Sequence, residues 1–138
     1  MTEMKPKKEF LLIYGTIFPF DVLITTAPLE KIFKYMERYD YKFTDIEKEN
    51  LEMQPNGEGR TVILNGGQTI IRLKPKQSGI KFLGNLTHEI SHAVYFIMNR
   101  IGVEHFHGSD EVFAYYQAYL LKQALYFYAP LKLKKNKK

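Results

Sequence analysis

Residues His88-Glu89-Ile90-Ser91-His92 place two imidazoles four positions apart, with a carboxylate directly after the first. On a helix, positions i and i+4 share a face, so both rings can reach one metal ion. The glutamate of this H-E-x-x-H pattern stays near such a metal without ligating it. It can therefore take a proton from a water that the metal has acidified. Zinc is the default ion for this ligand set, although sequence alone does not exclude manganese, cobalt or iron. A Lewis acid, an activated water and a general base together are the means to hydrolyse a peptide bond.

Such a site needs a helix beneath it. Leu86, Ile90, Ala93, Val94, Ile97 and Ile101 recur at helical spacing around the motif. Asn85 is placed to cap the helix start and Gly102 to end it, which predicts a helix over Asn85 to Ile101. Upstream, Phe10 to Tyr14 and Phe20 to Thr25 read as strands with a bend at Pro19. Pro28 opens a predicted helix that carries Leu29, Ile32, Phe33 and Met36 to about Tyr39. Residues 41–59 read as mostly loop, with a short helix near Ile46 to Leu51. Thr61 to Leu64 and Thr69 to Leu73 flank Asn65-Gly66-Gly67-Gln68, which is a hairpin signal. Pro75 to Gly79 is a turn and His105 to Ser109 a polar loop. Ser109 then caps a last helix from Asp110 to Tyr128. This order predicts an α+β fold, a small and mostly antiparallel sheet with helices on one face. The Thr69 to Leu73 strand is the expected edge on which an extended substrate would bind; an ordinary core hairpin is the alternative.

The chain has 138 residues, 45% of them hydrophobic, enough for one domain with a modest core. It has no cysteine, which rules out a disulfide and a thiolate metal site. The net charge is +5, and five lysines without any acid lie in residues 131–138, so residues 1–130 are formally neutral. One domain over 1–130 and a flexible basic tail over 131–138 are expected. Nucleic acid is a conceivable partner only through that tail. No segment reads as membrane-spanning. The basic start before Phe10 is a poor signal peptide, since Glu9 borders the apolar run and Gly15 and Pro19 interrupt it. A cytoplasmic protein is expected, with association with a virion as a further option.

Catalytic zinc takes three protein ligands and one water. Glu104, His105, His107, Asp110 and Glu111 are candidates for the third ligand. A metzincin pattern fails, because Tyr95 and Met98 stand where it needs glycine and histidine. Glu111 is the best placed, with Asp110 behind it. It sits in the first turn of the last helix, where negative charge is favoured, and Ala114 and Ala118 follow on its side.

His88-Glu89-x-x-His92 followed by Glu111-Val112-Phe113-Ala114 resembles the gluzincin arrangement. The compact length and the helix through Tyr119-Leu120-Leu121 are similar to minimal zincins of the ImmA/IrrE type and to small phage-encoded relatives. The resemblance spans residues 60–128. It implies a minimal zincin-like fold and a zinc site of His88, His92 and Glu111. It also implies a peptidase that acts on protein or peptide substrates with Glu89 as general base. Tyr115, His107 or His105 would then donate a hydrogen bond to the oxyanion. The competing expectation is a noncatalytic, metal-binding protein of the same fold that works through a partner, such as a phage structural or assembly component.

Overall fold

Phe10–Ile13 and Val22–Thr25 are short runs of large aliphatic side chains, and both are strands, β1 and β2. They pair antiparallel from Phe10 opposite Thr25 to Ile13 opposite Val22. The computed structural model describes residues 9–15, 18–53 and 57–128. The lysine tail expected to be flexible lies outside the described residues. Helix α1 (Leu29–Glu37) follows β2 with Pro28 in an extended conformation as its N-cap. Helix α2 (Asp45–Leu51) is longer by one residue than the sequence suggested, because Thr44 and Glu47 form a capping box. Then come β3 (Gly59–Ile63) and β4 (Thr69–Leu73), an antiparallel hairpin as expected. Gly67 has a positive φ of 100° and donates to the Leu64 carbonyl in the turn.

The α+β class holds, with two antiparallel pairings and one parallel pairing between β2 and β4. Two details differ from the expectation. Helices cover both faces of the sheet, not one. Leu23, Val62, Leu64 and Ile70 pack under Ile32, Met36 and Leu51 of α1 and α2. Val22, Ile24, Ile71 and Leu73 pack under the two C-terminal helices. The strands are therefore apolar on both sides, and period-two alternation is lost in β2 and β4. The second difference is the strand order, β1-β2-β4-β3. Thr69–Leu73 is interior and hydrogen-bonded on both sides, and the edge beside the motif helix is β3. The parallel partner β2 takes one flank of β4, so its hairpin partner is left outermost.

Helix α3 (Gly79–Arg100) carries the motif and begins six residues before Asn85. Phe82 is fully buried four residues before Leu86 and extends the same apolar face. Asn85 is thus within the helix, and its amide donates to Gln77 (2.6 Å) rather than capping a terminus. Helix α4 (Asp110–Tyr128) has the expected bounds. Ser109, however, is used in the preceding loop, where its hydroxyl accepts from the Phe106 N–H and donates to the Glu104 carbonyl. No helix among the described residues is long and apolar enough to cross a membrane.

Glu47 is 3% exposed and ties three segments together. It accepts from the Tyr41 hydroxyl (2.6 Å) and from the Asn65 (2.8 Å) and Thr44 (3.0 Å) backbone N–H groups. Burial pushes its carboxyl up, but these hydrogen bonds outweigh burial and leave it below the ordinary value of 4.5. A lowered folded-state value means the ionised form stabilises the fold above 4.5, and that contribution is lost as pH falls through the folded-state value. Glu47→Gln is expected to cost about 1–3 kcal/mol at neutral pH. It should also flatten the melting temperature's dependence on acid as pH falls through and below 4.5. Parallel melting-versus-pH curves for the two proteins would contradict this assignment.

Candidate metal centre

The motif residues sit in the middle of α3, so regular structure holds all three. Seen down the helix, His88 and His92 differ by about 40° and project together. Glu89 lies about 100° to one side of His88, and Ser91 about 60° to the other. The neighbours match these directions. Glu89 meets β3, and Ser91 meets α4, where it accepts a 2.9 Å hydrogen bond from the Gln117 amide. The exposed histidines therefore lie on the open face of α3, with β3 to one side and α4 to the other.

The two ring nitrogens Nε2 of His88 and His92 are 3.2 Å apart. Two nitrogens each bound to one zinc at about 2.0–2.1 Å and a tetrahedral angle stand about 3.3 Å apart. The pair has the spacing that a shared tetrahedral ion requires.

Glu89 is 6% exposed, so it is not a surface charge. Its Oε1 accepts from the Thr61 hydroxyl at 2.6 Å, and the same hydroxyl lies 3.0 Å from the Glu89 backbone carbonyl. Gly59 makes room for this carboxylate. A Cβ there would come within 3.0 Å of Glu89 Oε2 and 2.9 Å of its Cγ. Further along, Glu58, just before β3, is tied to α3 by Lys81 (3.7 Å) and Asn85 (3.4 Å). The edge strand is thereby stapled to the motif helix beside the general-base candidate.

The remaining candidates are placed by helix direction. Ser91 meets Gln117, Tyr95 meets Phe113 and Phe82 meets Tyr128, so α4 runs antiparallel to α3. Glu111, at the start of α4, lies towards the far end of α3, and it is exposed. Among the described residues no group of three His, Cys, Asp or Glu side chains forms around one point, so Glu111 is not gathered with the histidine pair. Asp110 is instead bonded to His105 Nε2 at 3.1 Å. The His105 ring packs on Phe113 (4.5 Å) and Tyr95 (5.9 Å). His107 is exposed in a single 3-10 turn, His107–Ser109. Tyr115 is 72% exposed on the solvent side of α4. Its neighbour Tyr116 is the tyrosine that turns inward, and burial pushes that phenol up to about 12. A cleft of about 210 Å³ lies between α3 and α4 next to the pair, lined by Ser91, Tyr95, His105, Phe113, Ala114 and Gln117 among others.

Thr61, Gly59 and Gln117 were not singled out from the sequence. Only the pairing of β3 and α4 against α3 brings them to the motif. No protein-family model, curated protein or solved structure matches the chain.

Proposed function

We propose that this protein is a zinc-dependent peptidase that cleaves a protein or peptide across the exposed face of α3, between β3 and α4. The observation that carries the reading is the 3.2 Å convergence of His88 and His92 beside a buried carboxylate on the edge strand's side. The donor set suits zinc, with imidazole nitrogens at tetrahedral spacing. His88 and His92 would hold the ion. On α4, Gln117 already reaches across to α3, whereas Glu111 would join only if the first turn of α4 closed on the pair. Bound there, zinc supplies Lewis acidity and brings the pKa of water near 7.

The chain's own residues provide the rest. The outer edge of β3 can pair with an extended substrate backbone through its free N–H and C=O groups. Glu89 takes the proton from the attacking water and passes it to the leaving amine. Thr61 fixes the carboxylate's orientation through the 2.6 Å hydrogen bond, and Gly59 leaves it room to lie against the strand. His105, whose ring packs on Tyr95 three residues beyond His92, would be the donor to the developing oxyanion.

The reading is tested by elemental analysis of purified wild type and His88→Ala, together with cleavage of an unfolded protein before and after chelation. About one zinc per wild-type chain, lost in the variant, and cleavage abolished by chelation are expected. A folded wild type that takes up no supplied zinc overturns it. Thr61→Val keeps the side chain's shape and removes the hydroxyl. It should lower kcat about tenfold with zinc content unchanged, because Glu89 loses its fixed orientation. An unaltered kcat would remove Thr61 from the machinery.

One observation favours a second reading, a noncatalytic metal-binding protein that acts through a partner: the α4 side chain that crosses to α3 is the neutral Gln117, not a carboxylate. That protein would bind zinc and cleave nothing.

A further inference from the structure

A second cavity, of about 110 Å³, lies at the end of the sheet where β1 finishes and β2 and β4 begin. It is on the α1 face, since its apolar wall of Leu12, Leu23, Met36 and Ile70 belongs to the α1/α2 core or packs against it. The histidine helix packs on the opposite face. The two sites therefore lie on opposite faces of the sheet.

Its chemistry is one-sided. The polar part of the lining is four tyrosines, Asp21, Gln68 and Thr69, and no lysine, arginine or histidine lines it among the described residues. Arg38 stands over the Tyr35 ring at 5.8 Å but does not reach the lining. Asp21 Oδ1 accepts the Gly15 N–H at 2.7 Å. Gln68 Oε1 is buried and has no hydrogen-bond partner. The Tyr41 hydroxyl already donates to Glu47, so within the cavity its oxygen can only accept. Burial, together with a hydrogen bond to Tyr39, pushes Tyr35 up to about 12, and burial pushes Tyr41 higher still. These phenols stay neutral at physiological pH, and Asp21 is the cavity's one formal charge.

We infer that this cavity binds a small primary ammonium ion with a short apolar chain, of the alkylamine class. Three features of the ligand follow from the lining. An ammonium group has three donors and no acceptor, which matches Asp21 and the orphan Gln68 oxygen. Tyrosine rings favour a cation near their faces. A cavity of about 150 Å³ holds one benzene, so this smaller one takes a short chain rather than a ring.

The test is titration of the full chain with n-butylammonium chloride, followed by methyl and amide NMR, with butan-1-ol as the neutral match. Saturable shifts at Leu12, Leu23, Met36 and Ile70 are expected, with butan-1-ol at least about tenfold weaker. Asp21→Asn retains an oxygen for the Gly15 N–H and should weaken the amine about tenfold while leaving the alcohol unchanged. Equal binding of amine and alcohol by wild type would reduce the site to an apolar void and overturn the proposal. So would shifts centred on α3, or no saturation at about 10 mM amine.

Discussion

Glu89→Gln is expected to lose peptide cleavage by about 10²- to 10⁴-fold while keeping its zinc and its fold. The amide is nearly isosteric with the carboxylate. Its carbonyl oxygen can still accept from the Thr61 hydroxyl, which is the contact that seats the side chain at 2.6 Å. What the amide cannot do is take a proton from water. The effect should fall on kcat, with zinc content and melting temperature close to wild type. Three measurements on the same preparation decide it: zinc per chain, thermal melting and the rate of cleavage of an unfolded protein. Cleavage at the wild-type rate would sink the general-base role. Loss of both zinc and fold would instead show Glu89 to be a structural carboxylate, buried because β3 needs it.

The second large effect is a gain. Gln117→Glu is expected to raise zinc affinity by about ten- to a hundredfold, because it puts a carboxylate on the α4 side chain that already crosses to α3. Two imidazoles and a neutral amide hold a divalent ion less firmly than two imidazoles and a carboxylate. In the same titration Glu111→Ala should bind zinc within about twofold of wild type, since Glu111 lies towards the other end of α3. The pair of variants is informative in either direction. Zinc lost in Glu111→Ala, with no gain in Gln117→Glu, would mean that the first turn of α4 closes on the histidines when the ion binds. The gluzincin-like set of His88, His92 and Glu111 would then stand. The predicted order of affinities follows from an antiparallel packing in which Ser91 faces Gln117 and Tyr95 faces Phe113.

The amino-acid sequence alone determined the local parts of the site. The apolar spacing from Leu86 to Ile97 makes a helix, and a helix puts His88 and His92 on one face whatever surrounds it. Asn65-Gly66-Gly67-Gln68 makes the β3–β4 hairpin, and the stretch after Ser109 makes α4. Two local signals were present but unread. Thr44 and Glu47 have capping-box spacing, and Phe82 continues the α3 stripe one turn upstream. These features depend on residues within a turn or two of one another, so a short window of sequence contains their cause.

Tertiary structure alone decided which strand is the edge, which way Glu89 points and which α4 residue meets the histidine helix. Thr61 and Glu89 are 28 positions apart, and Ser91 and Gln117 are 26 apart. Burial on both faces removes the alternation that would have marked the sides of β4. The parallel β2–β4 pairing, which displaces β3 to the edge, joins segments that α1, α2 and β3 separate in the chain. The relative register of α3 and α4 is set by the packing of Phe82, Leu86, Ile90 and Ala93 with Phe113, Tyr116, Leu120 and Ala124 in one core. Helical periodicity gives each side chain an angle about its own axis. It says nothing about how far one helix slides along another, and that slide separates Glu111 from the histidines and brings Gln117 across to the histidine helix.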